Sequence, residues 1–312
     1  MYKNNALIIG AGGFLGGSIL PRVATHFDKV FALSLNYRPD IERIKNVEYI
    51  CGDASDGDLL KRIMTNVDTV YYFLSTSLPS SDASSIKKEV SDTILTLIMV
   101  LDSMVENGVT KIVFPSSGGA IYGNSEYPCN EESTLNPNNN YGFGKKMSEE
   151  IIEYYCKKNG INSLIFRIGN VYGLSSKRTV NQGAVDIFIE KALKGEKITV
   201  WNNALNSLRD YVFIDDLVMA VESCSMKNFK GFNVYNVGSG FGTELGTIIT
   251  LIENALKTKV EIEYNENSES SVKNIILDIS KISSEMGWRP RYSLEQGIVE
   301  TIKRKKQFLG ID

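Results

Sequence analysis

The chain has 312 residues, 43% of them apolar and 23% charged, and a formal net charge of −3. That length and composition support a real core, in two lobes or one large α/β unit, and exclude disordered and collagen-like classes. The chain is not basic enough for a general nucleic-acid binder, and its longest strongly apolar stretch, near residues 94–101, falls well short of a membrane span, so neither partner is expected.

Four cysteines (Cys51, Cys129, Cys156, Cys224) lie far apart, with no CxxC pair, and there is one histidine, His26. A zinc site is not expected, nor any other metal site, and most Ser-His-Asp and Cys-His hydrolase schemes lose their base. Scattered cysteines fit a reducing cytoplasm. The N-terminus has one positive charge and a short apolar run, but the glycines that follow argue against a signal peptide. His26 is expected at the exposed end of a helix.

In chain order, residues 6–9, 30–33, 47–50, 69–74, 111–114 and 163–167 read as strands. Helical stretches fall between or after them at 14–25, 57–64, 91–107 and 147–158. Such alternation implies βαβ units with right-handed crossovers, hence a doubly wound parallel sheet. The second half is less regular. Helices are expected over 184–194, 215–224, 245–256 and 294–308, strands over 198–201, 233–237 and 260–264, and a polar loop over 265–271. The expected fold is therefore a Rossmann-type sheet with a smaller C-terminal α/β lobe. The dinucleotide-binding domain would span 1–168 and also receive 210–238, leaving 169–312 mainly for substrate.

The first strand runs into Gly10-Ala11-Gly12-Gly13-Phe14-Leu15-Gly16 and then a helix. Glycines at 10, 13 and 16 allow a tight turn and let backbone N–H groups, with Phe14 and Leu15 among them, approach a pyrophosphate at a helix N-terminus. NAD enzymes usually hold the ribose hydroxyls with a carboxylate at the end of the second strand. Here that end reads Ala32-Leu33-Ser34-Leu35-Asn36-Tyr37-Arg38, with no carboxylate. Arg38 suits the 2′-phosphate of NADP; alternatively Ser34 binds the ribose of NAD. Asp53 can accept from an adenine amino group, or it is a turn former in Gly52-Asp53. Ala54 and Leu74, near the ends of the third and fourth strands, complete the expected cofactor set.

Tyr141 and Lys145 sit four residues apart at a helix start, on one face. An ammonium there stabilises a phenolate and lowers the tyrosine pKa towards neutrality, as a general acid/base needs.

These motifs together resemble the extended short-chain dehydrogenases of the NAD-dependent sugar-nucleotide epimerase/dehydratase family. The resemblance covers essentially the whole chain. It is carried further by Ser116-Ser117-Gly118-Gly119-Ala120-Ile121-Tyr122-Gly123, by Arg167-Ile168-Gly169-Asn170-Val171-Tyr172-Gly173, by Arg209-Asp210-Tyr211-Val212-Phe213-Ile214-Asp215-Asp216, and by Asp278-Ile279-Ser280-Lys281 with Gly287-Trp288-Arg289-Pro290. It implies that Tyr141 is the acid/base, that Lys145 binds the nicotinamide ribose and tunes Tyr141, and that Asn170 and Arg209 hold a substrate diphosphate. Arg209 and Asp210 could instead form a local ion pair. Trp201 matches a position near the nucleobase, or is a core tryptophan.

Two positions depart from the family pattern. Its catalytic Ser or Thr falls on Gly118, so Ser117, or Ser116, must supply the hydroxyl, helped by backbone angles that Gly118 and Gly119 open, or a water does. Its late arginine falls on Ser268, for which Lys177 or Arg178 could substitute. The implied function is a UDP-hexose 4-epimerase acting through a transient 4-keto sugar, with NAD or NADP as cofactor. An NADPH-dependent reductase of a 4-keto-6-deoxy nucleotide sugar and a non-catalytic dinucleotide sensor are the alternatives. A 4,6-dehydratase is disfavoured because Gly119-Ala120 stands where that branch needs an acid/base pair. The expected partners are a UDP- or dTDP-linked sugar and a second copy of the chain, packed through helices 91–107 and 147–158.

Overall fold

The computed structural model describes residues 4–37, 43–75, 85–174, 183–201, 205, 207–265 and 274–311. The chain divides into two compact units. The first comprises Met1–Ile121, Asn139–Arg167 and Val221–Tyr235; the second comprises Tyr122–Asn138, Ile168–Ala220 and Asn236–Asp312.

The first unit alternates strand and helix: β1 (Asn5–Ile9), α1 (Phe14–Ala24), β2 (Lys29–Ser34), β3 (Val47–Cys51), α2 (Gly57–Met64) and β4 (Thr69–Tyr72). A short α3 (Ile86–Lys88) leads through a π-helical turn, Glu89–Ile94, into α4 (Leu95–Glu106). Then come β5 (Lys111–Ser117), a single helical turn α5 (Gly118–Ile121), the long α6 (Asn140–Asn159) and β6 (Asn162–Ile168). Four strands of the second half, β7 (Asn170–Tyr172), β8 (Ile198–Trp201), β9 (Arg209–Phe213) and β10 (Phe232–Val237), are interleaved with α7 (Ala184–Lys194) and α8 (Ile214–Ser225). They are followed by β11 (Gly242–Thr243), α9 (Leu245–Leu256), β12 (Ile262–Asn265) and α10 (Leu294–Leu309).

The main sheet has seven strands in the order β10-β6-β5-β4-β1-β2-β3. β1 lies parallel to both β2 and β4, so the strand order reverses beside it, the point where doubly wound folds bind nucleotides. The strands read as continuous apolar runs because helices cover both faces. Leu7, Ile9, Val70, Ile112, Phe114 and Ile165 pack with Leu60, Leu97, Val100 and Met104 of the helices. Each such side chain contributes roughly 1.5–3 kcal/mol on burial.

The second unit holds a three-stranded sheet, β11-β9-β7, and a two-stranded one, β12-β8. Its organising group is Asp210 on β9, fully buried, whose carboxylate accepts from Ser239 N (2.6 Å), Ser239 Oγ (2.7 Å), Gly240 N (3.0 Å) and Leu277 N (3.2 Å). Asp216 accepts from the backbone N–H groups of Arg291 and Tyr292, and its carbonyl takes the Trp288 indole N–H.

The first unit gives way to the second between Arg167 and Ile168, and two stretches fall on the other side of that boundary in sequence. Residues 122–138 group with the second unit, because Cys129 exchanges backbone hydrogen bonds with Ile276 and Asp278. Of 210–238, only Val221–Tyr235 joins the first. Among helices, the sequence placed the start of α6 too late. Gly142 and Gly144 depress helix propensity there, but Asn139 caps the helix, its side chain accepting from Gly142 N at 2.7 Å.

Candidate active site

The loop after β1 is built by close approach. Gly10 has φ +81°, and a Cβ there would lie 2.7 Å from the Phe73 and Leu74 backbone, so Leu74 seals the floor of the loop. A Cβ on Gly16 would collide with the Gly10 carbonyl, and one on Gly12 with the Ser34 hydroxyl. Gly13 is the N-cap of α1, which has neither a capping side chain nor an acidic residue in its first turn. The end of α1 that carries Phe14, Leu15 and Gly16 therefore offers backbone N–H groups and a positive dipole, the environment a pyrophosphate takes. These residues fit a dinucleotide.

Ser34 closes β2, half-buried against Gly12, and its hydroxyl donates to Asn36 O at 3.1 Å. Arg38 lies outside the described residues. Asp53 is exposed and uses one carboxylate oxygen to accept Ser55 N at 2.8 Å, the turn-forming role, while Ala54 beside it is buried. His26 lies just past α1, exposed, 2.8 Å from Glu222.

Ser117 ends β5 and Tyr141 opens α6, and the Ser117 hydroxyl lies beside the Tyr141 phenol and lowers its pKa against the effect of burial. Lys145, one turn on, is 5% exposed. Its ammonium donates to Pro115 O at 2.8 Å and lies 4.8 Å from the centroid of Phe114 and 5.7 Å from that of Tyr141. Serine, tyrosine and lysine thus converge as the sequence suggested. The neighbouring Ser116 hydroxyl is buried and has no hydrogen-bond partner among the described residues. Two expectations are corrected. Gly118 and Gly119 form part of a right-handed helical turn, α5, so no special glycine conformation steers Ser117. Ser117 reaches Tyr141 directly from the strand end.

The second correction concerns charge. The phenol of Tyr141 is not drawn towards neutrality; burial pushes it up to about 12, against the Ser117 hydroxyl and with help from the Glu89 carboxylate. Burial also brings Lys145 down to about 8, opposed by Glu89 and Glu149. The ammonium is spent on the Pro115 carbonyl and the Phe114 ring, so it does not dominate the phenol. Glu149 is itself paired with Arg167, Nη2 to Oε2 at 2.7 Å and Nε to both carboxylate oxygens at 3.2 Å. Sequence reading missed Glu89. It falls four and eight residues before the buried Thr93 and Leu97, and that helical spacing would have placed a carboxylate on an inward face.

In the second unit Asn170 starts β7 and donates from its side chain to Asp210 O at 3.3 Å. Arg209 starts β9, half-buried, its guanidinium donating to Leu208 O at 3.3 Å; burial lowers its pKa. Asp210 points to the opposite, fully buried side, committed to Ser239, Gly240 and Leu277. Trp201, at the end of β8, is 44% exposed, so it is not a core tryptophan. Lys177, Arg178 and Ser268 lie outside the described residues.

A glycine cradle at the N-terminus of α1, with serine, tyrosine and lysine between β5 and α6, defines a dinucleotide-dependent enzyme that moves protons at a carbinol or carbonyl. Residues 6–238 match the NAD dependent epimerase/dehydratase family, and the chain belongs to that family. It is 30% identical to a dTDP-4-dehydro-6-deoxyglucose reductase of Escherichia coli, over 96% of this chain and 97% of the relative. It is also 30% identical to a putative UDP-glucose 4-epimerase of Methanocaldococcus jannaschii, over 96% and 98% respectively. Among solved structures it resembles a UDP-glucose 4-epimerase of Thermotoga maritima crystallised with UDP-glucose. That match has a TM-score of 0.88 and 26% identity, and covers 98% of this chain and 99% of the other.

Proposed function

We propose that this enzyme is a 4-epimerase of a UDP-linked hexose, working through a transient 4-keto sugar. The observation that carries the reading is the Ser117 hydroxyl beside the Tyr141 phenol, close enough to hold its pKa down against burial, with Lys145 one turn along the same helix. NAD, when bound, supplies reversible hydride acceptance. With its phenol ionised, Tyr141 takes the proton of the sugar 4-hydroxyl and returns it to the same oxygen once C4 has inverted. Ser117 holds that oxygen in line with the phenol. Lys145 contributes positive charge beneath the phenolate as it forms, which in a water-poor site weighs far more than in bulk solvent. Gly10, Gly13 and Gly16 hold the dinucleotide pyrophosphate, Ser34 and Asp53 its adenosine end, and Asn170 and Arg209 the sugar-nucleotide diphosphate, with Trp201 near the base. Incubation with UDP-glucose, read by NMR, should give UDP-galactose without added reductant; purified protein should carry bound cofactor.

A second reading, reduction of a 4-keto-6-deoxy nucleotide sugar by NADPH, is favoured by one specific observation. Ser34, not a carboxylate, stands at the end of β2, packed against Gly12. A dTDP-linked 4-keto sugar reduced only when NADPH is supplied, with tighter binding of NADP than NAD, would establish it.

We also propose a homodimer through α4 and α6. Leu95, Val105 and Tyr154 are exposed on these helices, and Tyr155 of α6 donates to Asp102 of α4 at 2.6 Å, tying the two into one surface. Light scattering should return twice the chain mass. A cytoplasmic location is supported by four free cysteines. No helix among the described residues is long and apolar enough to cross a membrane.

A further inference from the structure

Glu89 is 3% exposed, and its Oε2 has no hydrogen-bond partner among the described residues. It opens the π-helical turn that precedes α4, an irregularity that turns this carboxylate inward against α6. There its Oε1 occupies the space that a side chain at position 144 would need: a Cβ on Gly144 would collide with it. Gly144 lies between Tyr141 and Lys145, in the turn that carries both.

We propose that Glu89 is a positioning residue of the Tyr141–Lys145 pair: its buried carboxylate supplies the negative field that keeps the Lys145 ammonium charged, and Gly144 is the gap that admits it. The inference rests on the role given to Lys145 above. A buried carboxylate with an unpartnered oxygen is destabilising unless it neutralises something. Of the charged groups on the packed elements, Lys145 is a buried cation of α6 beside Gly144, while its neighbour Lys146 is half-buried. Glu149 of α6 is already matched by Arg167 of β6. On the same π turn, Asp92 is half-exposed and bonded by Ser91. Lys87 and Lys88 of α3, and Asp102 and Glu106 of α4, are exposed. Consistently, the field of Glu89 raises both titrating groups of the pair, Lys145 against the larger effect of burial and Tyr141 along with it.

The test uses the full chain. In apoprotein carrying 13C-labelled lysine, the Lys145 signal, assigned by its loss in Lys145→Met, should titrate near pH 8 in wild type. In Glu89→Gln its midpoint should lie about one to two pH units lower, as for removal of a nearby opposite charge. Glu89→Asp should restore most of the difference. In turnover, the pH profile of kcat of Glu89→Gln should move as a whole to lower pH, since one field raises both groups, with KM little changed. If Glu89→Gln does not fold, Gly144→Ala carries the same test, because the added methyl displaces the carboxylate. An unchanged Lys145 midpoint in the folded variant overturns the proposal. A shifted midpoint with a kcat profile that does not move keeps the electrostatic link and instead overturns the catalytic role of Lys145.

Discussion

Asp210 in one unit and Lys145 in the other are withdrawn from water, with Tyr141 half-buried beside Lys145, yet they are provided for very differently. Asp210 receives four hydrogen bonds, three from backbone N–H groups, and burial still pushes its carboxyl up to about 6. Lys145 has one carbonyl and two carboxylate fields, and Tyr141 one hydroxyl. The saturated carboxylate stitches β9 to the segments around Ser239 and Leu277 and has no valence left for chemistry. The unsaturated pair keeps its protons poorly matched to its surroundings, which is the condition of a group that must give one up and take it back.

The contrast predicts opposite readouts for comparable deletions. Tyr141→Phe removes the hydroxyl proposed to transfer the proton and should lower kcat by about 10²–10⁴-fold, with thermal stability and cofactor affinity nearly unchanged. Retention of more than about a tenth of the rate would remove Tyr141 from the mechanism. Asp210→Ala strands three backbone donors in a dry interior and should lower unfolding free energy by about 3–5 kcal/mol, read by denaturant melts. Were Asp210→Ala to fold as stably as wild type yet lose turnover selectively, the carboxylate would belong with the reacting groups and the contrast would collapse.

Ser117→Ala sharpens the comparison within the site. It deletes the hydroxyl beside the Tyr141 phenol, and turnover should fall roughly 10–1000-fold, the range for an interaction made mainly in the transition state. Ser116→Ala should do less. Neighbouring strand side chains point to opposite faces, and the Ser116 hydroxyl has no partner among the described residues to lose. Steady-state kcat for the two variants, measured together, decides which serine serves the phenol.

Much of this was legible in the sequence, and the exceptions share a cause. Strand–helix alternation placed β1 to β6, because the strands are mostly apolar runs bounded by turn residues, the edge strand β3 being the polar exception. Glycine spacing marked the cradle, since a close approach tolerates nothing larger. The short β7, β9 and β11 were not legible. They run only three, five and two residues, each opening on a polar or small residue (Asn170, Arg209 or Gly242), and they form strands by pairing with one another across the fold, a long-range effect with no local pattern. The start of α6 was hidden by two glycines, although Asn139 signalled the cap. Electrostatics were legible least of all. The sequence puts Lys145 four residues from Tyr141 but says nothing of Pro115 O, which takes the ammonium, or of Glu89, which faces the same turn from a distant segment.

The smallest expected effect tests whether the hydroxyl at the strand end is fixed in position or interchangeable. Gly118 is the first residue of α5 and has right-handed helical backbone, which any L residue adopts. Serine is a better helix former than glycine by a few tenths of a kcal/mol, so Gly118→Ser should raise stability by about 0.5 kcal/mol or less if its side chain fits. Gly118 is buried, so the new hydroxyl needs a partner, and the unpartnered Ser116 Oγ two residues back is a candidate. With Ser117 intact, kcat should change by less than about threefold, because the phenol already has a hydroxyl beside it and a second adds little. In the Ser117→Ala background the same substitution becomes informative. Recovery of most of the lost rate would mean that any hydroxyl near the β5–α5 junction suffices. No recovery, with the variant folded, would mean that Tyr141 is matched to the strand position alone, as the Ser117 hydroxyl beside the phenol predicts.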